Sequence, residues 1–360
     1  MGTVTAAQLA AYIDMQQEQQ EEGGLVVVEV VSPAEAAASP ARVPGSHRVW
    51  RPQYELPLTA KQPLGGLVPS QQAFQEFARG LGINEDSMIV ILDRKYDATR
   101  LWWLFLLYGH CHELVRVLDG GYQAWVAAGL PTSTRPAAAV ATGRWTARPA
   151  NQRILSDRSQ VVALRGGVGE RDLHHLWDVR SVAEHTGSTT LPGAAQPGRI
   201  PWTRRRLEWD MFRNAPSPGN NGTSTWKSAA EIAQLAHEYL GATLPSHAEQ
   251  EQAQAPTTTH TFYCQSGVRT TQIIFGMARA GWPLEYLRNY DGSWVEWSHV
   301  ATADEIVVDD NSHPSGNGAQ QEDSTTAISS PPLPCLALAV IMAVTLLRAG
   351  QRDGTHRNVV

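Results

Sequence analysis

Cysteine is scarce in this chain: 360 residues hold three, Cys111, Cys264 and Cys335. Three thiols build no disulfide framework, and a thiol used chemically must stay unpaired, which points to a reducing compartment. Basic blocks are missing too. The formal net charge is −6, and the densest cationic cluster is Arg204-Arg205-Arg206. Phosphate backbones need clustered Lys and Arg, so no nucleic-acid partner is expected. Met1 to Gly24 is rich in Gln and Glu and lacks the apolar core of a secretory leader. Gly2 is followed by Ala6 where an acylation signal has Ser or Thr. His110, His112, His174, His175 and His185 show no ligand spacing with a second cysteine, so neither a metal nor any other cofactor is expected.

One long apolar run is present. Leu333 to Leu347, LPCLALAVIMAVTLL, is uncharged and is followed by Arg348 and a polar tail ending at Val360. Counted from Pro331 it reaches 17 residues, the lower edge of what spans a bilayer. The expectation is a C-terminal apolar helix over 331–348 acting as a single-pass tail anchor, with the rest of the chain facing the cytosol and a membrane as partner. The alternatives are a helix lying on a membrane or docked on the protein, with residence in the cytoplasm or a mitochondrion.

Chemistry concentrates at Cys264, in the run Thr261-Phe262-Tyr263-Cys264-Gln265-Ser266-Gly267-Val268-Arg269-Thr270. A short apolar stretch stops at the thiol, and a Gly-bearing turn leads into Gln272-Ile273-Ile274-Phe275-Gly276-Met277-Ala278, which reads as a helix. Strand, tight loop and helix in that order aim backbone N–H groups and the positive end of a helix dipole at one sulfur, favouring its anion. A Cys phosphatase would need an Arg six positions after the Cys, but position six is Thr270 and Arg269 is position five. The shorter loop suits a smaller anionic centre, a single sulfur carried on Cys264.

The chain also repeats itself. Glu29-Val30-Val31-Ser32 matches Asp178-Val179-Arg180-Ser181 and Arg42-Val43-Pro44 matches Arg199-Ile200-Pro201. Asp93 falls opposite Cys264 and Gly109 opposite Gly281. Asp119-Gly120, five residues before Trp125, falls opposite Asp291-Gly292, five before Trp297. Matches in order with a smoothly growing offset are the mark of tandem copies. Extra residues in the second copy, Asn214 to Thr225 and Gly241 to Thr258, read as surface loops. Leu25 to Val31, Met88 to Leu92 and Leu114 to Leu118 read as strands, Ser70 to Arg79 and Trp102 to Tyr108 as helices. Each copy is therefore expected to be α/β, a mainly parallel sheet flanked by helices, with chemistry in loops at strand C-terminal ends. The expected division is copies at 1–131 and 153–303, a linker at 132–152, a polar tether at 304–330, the apolar segment at 331–348 and a tail at 349–360.

On these residues the chain resembles the tandem-domain rhodanese-like sulfurtransferases. The second copy carries the Cys264 to Arg269 loop, Asp178-Val179-Arg180-Ser181, Gly198-Arg199-Ile200-Pro201 and Tyr290-Asp291-Gly292-Ser293-Trp294-Val295-Glu296-Trp297. The first looks like the non-catalytic domain, with Arg42-Val43-Pro44-Gly45, Arg100-Leu101-Trp102-Trp103 and Leu118-Asp119-Gly120-Gly121-Tyr122-Gln123-Ala124-Trp125. The resemblance covers about residues 5 to 303. It implies that Cys264 takes sulfane sulfur from a small anionic donor such as thiosulfate, holds it as a persulfide, and passes it to cyanide or a thiol. The loop Gln265, Ser266, Gly267, Val268, Arg269 and Thr270 would cradle the outer sulfur: amides stabilise its charge, Gly267 allows the turn, Arg269 holds the donor, and the Ser266 and Thr270 hydroxyls add hydrogen bonds. Arg199 would shape the pocket mouth. Two alternatives stand beside this: a membrane-tethered persulfide-relay or protein-binding module, and 3-mercaptopyruvate as donor. Mercaptopyruvate-type relatives usually carry Gly and Thr where this chain has Gln265 and Arg269, and Arg where it has Glu184, which favours thiosulfate. Asp93 cannot carry sulfur. Trp125, Trp294 and Trp297 are expected in the core.

Overall fold

The computed structural model describes residues 2–19, 24–56, 65–165, 174–217, 222–242 and 258–309. The first copy runs β1 (Gly2–Val4), α1 (Ala6–Gln19), β2 (Leu25–Val30), α2 (Pro33–Ala38), β3 (His47–Val49), α3 (Gln71–Gly80), β4 (Met88–Asp93), α4 (Ala98–Leu107), β5 (Val115–Leu118) and α5 (Gly121–Ala127). The second runs β6 (Leu155–Ser156), α6 (Arg158–Ala163), β7 (His174–Asp178), α7 (Val182–Thr186), β8 (Arg205–Arg206), α8 (Ala229–Leu240), β9 (Thr259–Tyr263), α9 (Arg269–Ala280), β10 (Leu287–Tyr290) and α10 (Ser293–Val300).

Two five-stranded sheets result, ordered β1-β5-β4-β2-β3 and β6-β10-β9-β7-β8, and every pairing is parallel. The second order is the first with each strand label raised by five, so the repeat seen in sequence is a repeat of topology. Parallel strands are buried on both faces and need near-continuous apolar runs. β4, MIVILD, is buried at every position. One apolar cluster runs through the middle of the molecule from Val28 and Ile91 to Phe262 and Ile274, while separate clusters cover the outer faces of the two sheets. The middle is closed by α4 against α9, where Trp102 meets Phe275 edge-on at 4.8 Å. Thr99 Oγ1 and Thr271 Oγ1, which occupy equivalent positions in the two copies, touch at 2.9 Å. Trp125, Trp294 and Trp297 lie in the cores, as expected.

Several expectations need correction. Helix α1 has no counterpart in the sequence reading, and α4 starts at Ala98, four residues before Trp102, after a short loop from Asp93. The end of the Pro and Ala linker is pinned: the Gly143 amide donates to Arg79 O, the Trp145 amide to Ile83 O, and Trp145 is fully buried. Residues 304–309 pack rather than float, with Val307 paired to Arg199 and the Trp297 indole donating to Glu305 O. Most of the Gly241 to Thr258 insertion, 243–257, lies outside the described residues. The membrane anchor does not stand. Among the described residues no helix is long and apolar enough to cross a membrane, and 331–348, expected as an apolar helix, lies outside them.

Candidate active site

Cys264 follows the last residue of β9 and is 1% exposed; α9 starts five residues later at Arg269. The loop between closes on Gly267, whose φ of +70° is left-handed and whose Cβ, if present, would lie 2.8 Å from Asp291 O. Only glycine satisfies both demands. Loop carbonyls are held from behind: Cys264 O by the Trp294 amide at 3.0 Å, Gln265 O by the Val295 amide at 2.9 Å, and Gly267 O by Asn289 Nδ2 at 2.9 Å. The amides of Cys264 and Gly267 donate to Ser293 Oγ at 3.1 and 3.0 Å. Those of Gln265, Ser266, Val268, Arg269 and Thr270 donate to no acceptor among the described residues. A buried helix start with unused donors is an anion site in waiting, since such groups are normally satisfied.

The expected site residues divide. Cys264, Gln265, Ser266, Gly267, Val268, Arg269 and Thr270 share this loop and helix start. The Arg269 guanidinium, however, is gripped by Glu184 in a two-pronged ion pair, Nη1 to Oε2 at 2.8 Å and Nη2 to Oε1 at 2.7 Å. Burial pushes the Glu184 carboxyl up, and Arg269 with Ser181 more than offsets this, holding it below the usual carboxylate range. Burial pulls Arg269 down while Glu184 and the neighbouring Cys264 raise it, so it stays charged. The Thr270 hydroxyl donates to Asn289 Oδ1 at 2.8 Å, so its proton is committed away from the sulfur. Gln265 Nε2 reaches across to Pro192 O at 3.1 Å. The Ser266 hydroxyl makes no hydrogen bond among the described residues. Arg199 is not brought to the loop: it binds Asp309 at 2.6 Å and His185 O at 3.3 Å, tying down the 307–309 segment.

Behind the loop stands a buried polar support. Asp178, closing β7, accepts from Arg180 Nε and Nη2, from the Tyr263 hydroxyl at 2.9 Å, and lies 2.9 Å from His185 Nδ1. Arg180 lies over the faces of Trp294 and Tyr263, the residues flanking Ser293 and Cys264 in sequence. Burial pushes Asp178 up; Arg180 and His185 more than offset this and hold it far below the carboxylate range.

Ser293 is the residue that sequence reading passed over. With φ +50° it is the one non-glycine described with a left-handed backbone. A left-handed backbone is uncommon for serine, and here it places the hydroxyl where it accepts from two loop amides. Its counterpart in the first copy is Gly121, φ +57°, so a glycine in the sister copy was the available signal. Asn289 and Arg100, which hold Gly267 O, carried no such signal.

A rhodanese-like domain model matches residues 12–128, the copy with Asp93 in place of the loop cysteine. A Mycobacterium tuberculosis protein provisionally named a thiosulfate sulfurtransferase is 30% identical over 240 residues, 64% of this chain and 76% of its own. The sulfur carrier protein TtuD of Thermus thermophilus is 29% identical over 244 residues, 64% of this chain and 75% of its own. Human 3-mercaptopyruvate sulfurtransferase is 27% identical over 253 residues, 68% of this chain and 74% of its own. Among solved structures, the Tum1 protein of Saccharomyces cerevisiae superposes with TM-score 0.65 at 18% identity, covering 86% of this chain and 98% of its own, which attests the fold. A match of this extent to sulfurtransferases, on a chain folded as two copies of one parallel sheet, establishes that this protein is a sulfur-transferring enzyme and belongs to the rhodanese-like sulfurtransferase family.

Proposed function

We propose that Cys264 is the sulfur carrier, that thiosulfate or a closely related anion is the donor, and that cyanide or a thiol is the acceptor. The catalytic copy is 153–303 and the supporting copy 1–131. The thiolate attacks the outer sulfur of thiosulfate; the new S–S bond forms as the old one breaks and sulfite leaves with the electron pair. The acceptor then attacks the outer sulfur of the persulfide, giving thiocyanate or an acceptor persulfide and returning the thiolate.

The observation that carries this reading comes from the sister copy. Asp93 stands where Cys264 stands, and its Oδ2 accepts from the Ala98 amide at 2.6 Å. Ala98 is the counterpart of Thr270, whose amide is unused. A carboxylate oxygen lies two bonds beyond Cβ, and so does the outer sulfur of a cysteine persulfide. The first copy thus holds a carboxyl oxygen at the place where the second would hold its sulfur. Burial of Cys264 at 1% exposure favours a small donor over a bulky one.

Intact-mass measurement after thiosulfate treatment tests the proposal: one sulfur mass is gained by the parent and none by Cys264→Ser, which also loses all thiocyanate formation. Turnover retained in Cys264→Ser overturns it. Running the same measurement with 3-mercaptopyruvate separates the two donors.

A further inference from the structure

Arg100 belongs to the copy whose loop carries Asp93 in place of a cysteine, yet it reaches the Cys264 loop of the other. It is fully buried in α4, and its guanidinium serves three hydrogen-bond acceptors and one further carboxylate. Nε meets Glu55 Oε1 at 3.0 Å, Nη2 donates to Gly66 O at 2.9 Å, and Nη1 donates to Gly267 O at 3.2 Å. Nη1 also lies 2.7 Å from Asp291 Oδ1, off the line of a hydrogen bond. Asp291 is fixed in turn by the Val68 amide of the first copy at 2.7 Å.

We propose that Arg100 is a positioning residue for sulfur transfer: by gripping Gly267 O it fixes the 267–268 peptide plane and so the direction of the Val268 amide on its opposite edge. In a trans peptide the C=O and N–H point opposite ways and turn together. Val268 N–H is one of the unused donors of the loop, and a donor preset toward developing charge is worth more than one that must reorganise. The equivalent residue of the other copy makes the mirrored contact: Gln272 Nε2 donates to Tyr96 O at 2.6 Å. There the grip is neutral and the loop gripped carries no thiol; toward Cys264 it is charged and planar, a fork that presents several donors in fixed directions. The inference rests on Cys264 being the sulfur carrier.

Arg100→Lys keeps the charge but not the fork. The expected result is a fall of about tenfold in kcat for thiosulfate with KM within twofold, smaller than the hundredfold or more that follows loss of a donor touching the charge itself. The pH profile of Cys264 alkylation by iodoacetamide is expected to move to higher pH. Thr99→Val, which removes a hydroxyl contact at the same interface, is expected to change neither. Should Arg100→Lys fail to fold, Arg100→Gln with Glu55→Gln removes the Arg100 charge together with that of its Glu55 partner and takes its place. A folded Arg100 variant with parental kcat and alkylation profile overturns the inference, as does a kcat loss matched by Thr99→Val with no shift in the profile. In either case loss of transfer in Cys264→Ser leaves the carrier assignment intact, whereas transfer retained there removes the carrier assignment itself.

Discussion

The loops after β4 and β9 sit at the same place in their two sheets, and only one carries a thiol. In the first, Asp93 supplies a carboxyl oxygen to the Ala98 amide at the start of α4, five residues on. In the second, the side chain is a thiol, and the loop amides at 265, 266, 268, 269 and 270 find no acceptor among the described residues. The comparison teaches that a copy without a thiol at this position can keep the same loop and helix start.

The supports behind the two loops differ in burial. Asp178 faces Arg180, which is 1% exposed, whereas its counterpart Glu29 faces Arg48 and Arg94, at 11% and 10%. Asp178→Asn leaves a buried guanidinium without its counter-charge and is expected to lower stability by about 3–5 kcal/mol in chemical denaturation. Glu29→Gln leaves two nearly buried arginines without their counter-charge, and because these reach water more easily the expected loss sits at the lower end, about 3 kcal/mol. The Asp178 carboxyl is depressed in the folded state, so its contribution is complete above about pH 5. It is lost as pH falls through the unfolded value of 3.8 toward the lower folded one. Asp178→Asn should therefore flatten the acid limb of the stability curve, and Glu29→Gln provides the comparison.

Ser293 and Gly121 come next. Ser293→Gly keeps the left-handed backbone but removes the acceptor for two loop amides, at roughly 1 kcal/mol each. A loss of about 2 kcal/mol with about tenfold lower kcat is expected from melting and steady-state assays. In the opposite direction, a Cβ at Gly121 would lie 2.5 Å from Asp93 O, so Gly121→Ser is expected to destabilise the first copy. A smaller effect tests the filled cradle. Cys264→Asp is expected to be inactive but about 1 kcal/mol more stable than Cys264→Ser, because the carboxylate caps the free amides as Asp93 does. Equal melting of the two variants would count against the equivalence. Smallest of all is the ion pair at the mouth. Glu184→Gln keeps the α7 cap and frees Arg269, and KM for thiosulfate is expected to fall about threefold, a fraction of a kcal/mol as befits one partly exposed charge.

The thiol, its loop and the tandem repeat were legible because each rests on local order: apolar run, small turn, helix. Gly267 was legible for the same reason, since left-handed turns select glycine. Arg100, Asn289 and the pairing of Arg269 with Glu184 were not, because their partners are set by how α4, β10 and α7 pack and not by spacing along the chain. Helix α1 was missed because its Gln and Glu run masks a weak apolar face. Arg199 was assigned to the pocket by resemblance, and the structure turns it toward Asp309 instead.

The contact between Thr99 and Thr271 has a consequence of its own. Equivalent residues of two like bodies meet each other only where a two-fold axis passes between them, as in an isologous dimer. The chain is built as two protomers joined end to end, so the union of its halves is intramolecular and independent of dilution. Its melting temperature should hold constant across a thousandfold range of protein concentration, where a true dimer of the same interface would lose its partner.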